Sequence, residues 1–309
     1  MTDHSARRYA ALDIGTNSIK FHIGERLADG SWGKVVDRAE VVGLGEGLRE
    51  TGEFSEASMA RAITAIIGMT GEARDNDVAA IVAVATMGMR NARNAGQFIA
   101  AVQAGCGISI EVISGEEEAR LAYLAVKAGL GLPEVPLVVF DTGGGSTQFT
   151  FGHGASVNQR FSLNVGAARF TEHYRLDNAV SETTLREAID AIGAELSRLD
   201  TVPAPHMLIG MGGAVTNMVA VKLKLASYDS DAVQGAILTR AEIELQIEQY
   251  RLRSAEQRRA IIGLQQGRAE VILAGACIVK TVLDKFHMDA LIVSDHGLRH
   301  GLLVERFPG

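Results

Sequence analysis

Cysteine is nearly absent. The 309 residues carry two, Cys106 beside glycines and Cys277 within the apolar run VILAGACIV, and neither has a partner at metal or redox spacing. A thiolate metal centre and a dithiol redox site are thereby excluded, and both read as small buried side chains. Also missing is any stretch approaching the roughly 18 unbroken apolar residues of a membrane helix, so no bilayer span is predicted. The N-terminal MTDHSARRYA holds no apolar signal-peptide core and leads straight into a strand-like run, so the expected compartment is the cytoplasm. Positive charge is in deficit, with 30 Lys and Arg against 37 Asp and Glu and a formal net charge of −7. That balance gives no general pull toward nucleic acid or acidic membranes, so neither is an expected partner, and any polyanion must be held by a local site. What remains, 47% hydrophobic and 22% charged residues, is the composition of a soluble globular protein long enough for two domains.

The apolar periodicity turns on two similar figures. YAALDIG and SIKFHIGE read as strands joined by the turn GTNS, with Asp13 closing the first. PLVVFDTG and TQFTFGHG repeat that figure, with Asp141 standing 128 residues after Asp13. The repeat predicts two similarly built halves. Between the copies, a helix over 55–74, the strand VAAIVAVAT, a helix after Arg90, the strand ISIEVI and a helix over 114–128 alternate, which implies a mixed or parallel sheet covered by helices. The later part predicts helices near 181–198, 212–225, 239–259 and 266–285, with strands HMLIG and ALIVS. The glycine- and proline-bearing AGLGLPEVP marks a linker, so the expected domains are 1–127 and 128–309.

Each copy has an aspartate at a strand end followed by small residues, so backbone N–H groups and the short side chains of Thr16, Asn17, Ser18, Ser146 and Thr147 can converge on an anion. Gly143, Gly144 and Gly145 keep that backbone bare. Phosphate is the natural guest. A carboxylate beside phosphate repels it unless a cation lies between them, so Asp13 and Asp141 predict a divalent metal, Mg²⁺ above others. A third loop, LIGMGGAVTNM, places Gly212 and Gly213 between a strand and a helix start, where it can pass close to a phosphate chain.

Two aspartate-led phosphate loops in repeated halves, with a third glycine loop, resemble the actin-like superfamily of sugar kinases, acetate kinase and Hsp70. More narrowly, DIGTNS, GEGLRETGEFSEASMARA, VATMGMRNARN, EVISGEEEARLAY, VVFDTGGGST, GMGGAVTNM, RAEVILAGA and VSDHGLRHGLL resemble, in order, the exopolyphosphatase/guanosine pentaphosphate phosphohydrolase family in its short two-domain form. The resemblance implies two actin-like (ribonuclease H-like) α/β domains, mixed sheets flanked by helices, and an active site in the cleft between them. It further implies removal of terminal phosphate from inorganic polyphosphate, guanosine pentaphosphate or both, and a homodimer. In SGEEE, Ser114 and Glu117 have capping-box spacing and Glu116 complements the helix dipole. Glu118 matches the family's catalytic glutamate, the base that activates water, and the dipole is expected to favour its ionised form. Arg90 matches an arginine of the family pattern, and a guanidinium there can bind the terminal phosphate bidentately and offset charge in the transition state. Asp295 and Arg299 match the closing motif and are expected to be structural or domain-bridging rather than catalytic.

Two departures from the family pattern stand out. Where the second loop usually continues to a glutamate, this chain has Gln148, at best a weak metal ligand. The closing motif carries His296 and His300 in place of the usual glycine and glutamate; at i, i+4 they can face one another, with no third metal ligand evident. Arg251, Arg253, Arg258 and Arg259 offer either a basic track for polyphosphate or a solvated helical face. Two other functions use the same cleft: phosphotransfer between polyphosphate and a nucleotide, and non-catalytic sensing of the alarmone or polyphosphate, which Gln148 motivates.

Overall fold

The computed structural model of the chain describes residues 7–308. The first six residues of the polar N-terminal stretch lie outside them. The described residues fall into two compact units, one running to Ala125 and taking in the residues from Gly297 onward, the other being Val126–His296. The expected boundary at 127/128 therefore needs a correction at the far end of the chain, because the closing segment returns to the first unit. The closing helix Leu298–Arg306 buries Leu298, Leu302 and Leu303 against Ala11, Val84, Ile113 and Leu121. Gly301 lets that helix approach closely, since a Cβ there would overlap the Leu121 backbone.

The first unit is built on five strands: β1 (Arg7–Ile14), β2 (Ser18–Arg26), β3 (Trp32–Val41), β4 (Ala80–Ala85) and β5 (Ile110–Val112). Their order is β3-β2-β1-β4-β5, an antiparallel meander to which β4 and β5 add in parallel. Parallel addition needs a crossover, and the helices Glu56–Asp75 and Ala95–Cys106 provide it. The central strand β1 is buried on both faces. Its alternation sends Ala10, Leu12 and Ile14 into the core shared with those two helices and Ala11 toward the closing helix.

The second unit repeats the plan. Its strands are β6 (Pro136–Thr142), β7 (Thr147–His153), β8 (Ser156–Leu163), β9 (Met207–Met211), β10 (Ile237–Thr239) and β11 (Ala290–Val293), in the order β10-β11-β9-β6-β7-β8. The antiparallel β6-β7-β8 meander joins β9 and β11 in parallel. Of its helices, Ile272–Lys285 is buried almost all round and forms the centre of the core. Within each unit the repeated hairpin sets the same pair of positions opposite each other, Asp13 with Lys20 and Asp141 with Gln148. The helix expected over 239–259 ends at Arg251, and a separate short helix, Ala255–Arg258, starts at Ser254 with a reciprocal cap from Gln257.

Candidate active site

In the first unit, Asp13 is buried at the end of β1, and Lys20 Nζ lies 3.5 Å from its Oδ2. The intervening turn closes through the Gly15 N–H, which donates to Ser18 O at 3.1 Å. The loop's carbonyls are engaged by the 42–45 segment. Gly45 N–H donates to Thr16 O at 2.7 Å, and the Val42 and Gly43 N–H groups donate to Asn17 O at 3.0 and 2.9 Å. The Thr16 methyl is packed against Gly88, where a Cβ would overlap it. Thr16 and Ser18 are half-buried and Asn17 is exposed.

Glu118 sits in the first turn of the helix Gly115–Leu130, where Ser114 Oγ accepts the Glu117 N–H at 3.2 Å. The expected reciprocal half of that cap is not formed, because the Glu117 carboxylate grips Arg120 at 2.8 and 2.7 Å. Glu118 Oε2 lies 3.6 Å from Arg90 Nη2, while Arg90 Nη1 donates to Ile113 O at 2.5 Å. The Glu118 carboxyl is pushed above its ordinary range, by burial first and by the Asp13 charge second, with Arg90 and Lys20 pulling the other way. The net direction is opposite to the one expected from the helix dipole. Desolvation and a like charge set that direction, and the result is a more strongly basic carboxylate.

In the second unit, Gly143 N–H donates to Ser146 O at 2.9 Å, and the carbonyls of Gly143 and Gly144 accept N–H groups from Ala167, Ala168 and Arg169 at 2.9 to 3.2 Å. With its carbonyls turned onto the start of the helix Ala167–Tyr174, the loop keeps the Gly144 and Gly145 N–H groups without a protein partner among the described residues. None of the three glycines has positive φ, and nothing lies within 4 Å of where a Gly145 Cβ would sit. Their bareness therefore serves access rather than backbone strain. Gly212 does adopt φ +87°, and a Cβ there would overlap the Asp141 carboxylate. Asp141, Gly212 and Gly213 are thus brought together in one place.

Several expectations change. Thr147 is fully buried, and its hydroxyl donates to Val165 O at 2.6 Å, so it is structural. Gln148 lies opposite Asp141, but its Nε2 donates to Ser146 Oγ at 2.7 Å and approaches Ser162 Oγ at 3.4 Å. The arginine track dissolves. Arg258 is wholly buried and bonds the carbonyls of Tyr250, Leu176, Ala269 and Asn178, Arg251 pairs with Glu248, Arg259 pairs with Glu256, and Arg253 caps Gln249 O. His296 precedes the closing helix and packs on Gly129, whereas His300 turns toward β2 and β3. There His22, Asp37 and His300 form the one His/Cys/Asp/Glu group compact enough for a metal among the described residues. Gly297 N–H donates to His300 Nδ1 at 3.1 Å, which leaves the neutral ring's proton on the Nε2 that faces Asp37, and Arg299 takes both Asp37 oxygens. The cluster is an ion-paired anchor for the closing helix.

Two cations escape sequence reasoning. Lys20 was readable from the repeat, being as far from Asp13 as Gln148 is from Asp141. Arg268 heads RAEVILAGA, one of the motifs that carry the family resemblance, but that motif does not say which loop the side chain meets. Its exposed guanidinium lies flat on Gly213 beside Gly143 and Gly144, with no hydrogen-bond or ion-pair partner among the described residues.

A family pattern described as the Ppx/GppA phosphatase family matches residues 25–308. Exopolyphosphatase 2 of Mycobacterium tuberculosis is 30% identical, over 96% of this chain and 97% of its own. The bifunctional 3-dehydroquinate synthase/phosphatase of Fusobacterium nucleatum is 31% identical over 96% of this chain, which spans only 46% of that longer protein. A crystal structure of the Aquifex aeolicus Ppx/GppA phosphatase superposes with a TM-score of 0.89 at 33% identity, covering 97% of this chain and 99% of that one. The likeness therefore extends through both units, and the chain belongs to the Ppx/GppA phosphatase family.

Proposed function

We propose that the chain is an exopolyphosphatase-type phosphoanhydride hydrolase that removes terminal phosphate from inorganic polyphosphate, guanosine pentaphosphate or both. The observation that carries this reading is the Glu118 carboxylate, half-buried and held 3.6 Å from the Arg90 guanidinium, with its proton affinity raised by burial and by Asp13. A carboxylate so placed is suited to take a proton from water, a contribution of roughly 10²- to 10⁴-fold to rate. Arg90 contributes a guanidinium for a terminal phosphate oxygen, and Thr16, Asn17 and Ser18 lie on the turn that follows Asp13. In the second unit the bare N–H groups of Gly144 and Gly145, the Ser146 hydroxyl, the Gly212–Gly213 backbone and the unpaired Arg268 form an anion cradle.

A divalent cation fits at Asp141. The donor there is a half-buried carboxylate with a glycine against it and a neutral amide opposite, an all-oxygen setting in which Mg²⁺ keeps most of its waters. When bound, the ion supplies charge neutralisation for phosphate oxygens. Asp13 already faces Lys20, so it is the weaker candidate for a ligand, and Gln148 contributes no charge. No helix among the described residues is long and apolar enough to cross a membrane. The family resemblance also carries the proposal of a homodimer, which sedimentation velocity tests.

The deciding experiment is a phosphate-release assay on long polyphosphate, short polyphosphate and guanosine pentaphosphate, with and without Mg²⁺. Mg²⁺-dependent release from at least one is expected. No release from any of them sinks the reading.

A further inference from the structure

Arg268 is held by an arrangement that its exposure does not suggest. It ends the 3₁₀ turn Gln266–Arg268, and its own N–H donates to Gln265 O at 2.9 Å. Gln265 in turn is fastened to a single buried side chain. Asn217, wholly buried in the helix Gly213–Lys222, accepts the Gln265 N–H on Oδ1 at 2.9 Å. Its Nδ2 donates to Gly213 O at 2.9 Å and to Gln265 Oε1 at 3.2 Å. One amide therefore ties the third glycine loop to the turn that carries the guanidinium lying on that loop.

The peptide on the far side of Arg268 is fixed as well. Buried Arg258 donates to Ala269 O at 3.3 Å while bonding three other carbonyls. Asn217 stands among Ala214, Val215, Met218, Val219 and Ala220, all buried. An amide in such surroundings costs stability unless every polar atom finds a partner, and a leucine would fill the space without that demand. An asparagine is needed only if both of its ends have something to hold, here Gly213 on one side and Gln265 on the other.

We infer that Asn217 is a positioning residue that fixes Arg268 against the Gly212–Gly213 loop, so that the guanidinium meets an anionic substrate with no carboxylate to neutralise it. The inference rests on the proposed binding of phosphate at these loops. Its consequence is that removing Asn217 acts on substrate through Arg268 rather than through general loosening of the fold.

The test compares Asn217→Asp, Gln265→Pro, Arg268→Ala and the Asn217→Asp/Arg268→Ala double variant in the full chain. Asn217→Asp keeps the acceptor for Gln265 but loses the donor to Gly213. Gln265→Pro deletes the N–H that Asn217 accepts, and the native φ of −65° at that position suits proline, so it serves if the buried variant fails to fold. Binding of inorganic tripolyphosphate by calorimetry and the kinetics of phosphate release are measured, with and without added guanidinium.

Arg268→Ala is expected to weaken binding and raise KM about ten-fold, the scale of one charge-assisted contact, and to recover partly with guanidinium. Asn217→Asp and Gln265→Pro are expected to raise KM several-fold with kcat little changed, and the double variant to be no worse than Arg268→Ala. Losses that multiply in the double variant, or a lower Tm with KM unchanged, overturn the positioning role. A wild-type chain that neither binds tripolyphosphate nor releases phosphate overturns the functional reading and this inference with it. A wild type that binds normally while both positioning variants match it overturns the inference alone.

Discussion

Arg299 holds Asp37 through two parallel contacts, Nε to Oδ1 at 2.6 Å and Nη2 to Oδ2 at 3.0 Å, tying the closing helix to β3. Both side chains are largely buried, with 14% and 8% of their surface accessible. Truncating one partner of such a pair leaves a buried charge uncompensated, at a cost of about 3 to 5 kcal/mol. Arg299→Ala is therefore expected to lower the denaturant midpoint markedly. A midpoint within error of the wild type would show that the closing helix is held by its leucines alone.

The same pair sets an acid limit. Burial by itself would raise the Asp37 carboxyl, but hydrogen bonds from His300 and Arg299 and the Arg299 charge outweigh it and hold the group far below the ordinary carboxylate range. A depressed folded value means that the stabilisation is complete above the unfolded value, near the ordinary range, and is lost as pH falls through the folded one. The stability difference between wild type and Asp37→Asn should stay constant from neutral pH to about pH 5 and shrink in stronger acid. A difference that instead grows on acidification contradicts the sign.

Glu118 runs in the opposite direction. Its raised folded value means that ionisation is costly in the native state, so Glu118→Gln should slightly stabilise the protein at neutral pH and above while lowering kcat by roughly 10² to 10⁴ with KM little changed. Because the base works deprotonated, the acid limb of the rate profile should lie above the ordinary glutamate range. Removing the like charge with Asp13→Asn should move that limb to lower pH. Parallel losses in kcat and affinity for Glu118→Gln would mean that the residue binds substrate instead.

Two glycine substitutions should behave differently. At Gly213 an added Cβ meets the tip of the flexible Arg268 side chain, so Gly213→Ala should leave Tm nearly unchanged and raise KM. At Gly166 it meets the backbone of Gly144 and Gly145, which cannot step aside, and Gly166→Ala should cost about 1 to 3 kcal/mol of stability. Thermal melts beside Michaelis curves separate the two cases, and equal loss of stability in both would refute the distinction.

Gln148→Glu places a second carboxylate opposite Asp141 and gives up the amide donor to Ser146. It should lower the Mg²⁺ concentration that gives half-maximal activity. An unchanged Mg²⁺ titration would put that side chain outside the ion's reach.

Much of this was readable one letter at a time. The hairpins around Asp13 and Asp141 announce themselves because a strand alternates with period two and a glycine-rich turn has few other uses. The 128-residue repeat made the likeness of the two sheets legible before either was seen. The outer strands β3, β8 and β10 were not legible, since an edge strand buries too little to write a clean alternation.

By itself, then, the sequence determined the two-fold plan, the glycine loops and the family, all of which rest on short-range pattern and ordered motifs. Only the tertiary structure decided which unit takes the closing helix, that Arg258 is a buried staple rather than part of a basic track, and that Arg268 lies on Gly213. It also decided the direction of the Glu118 shift, against the helix dipole. The physical reason is common to all four. Burial and charge depend on which distant segments pack together, and a local pattern records that a face is apolar or a residue charged without recording what it will meet.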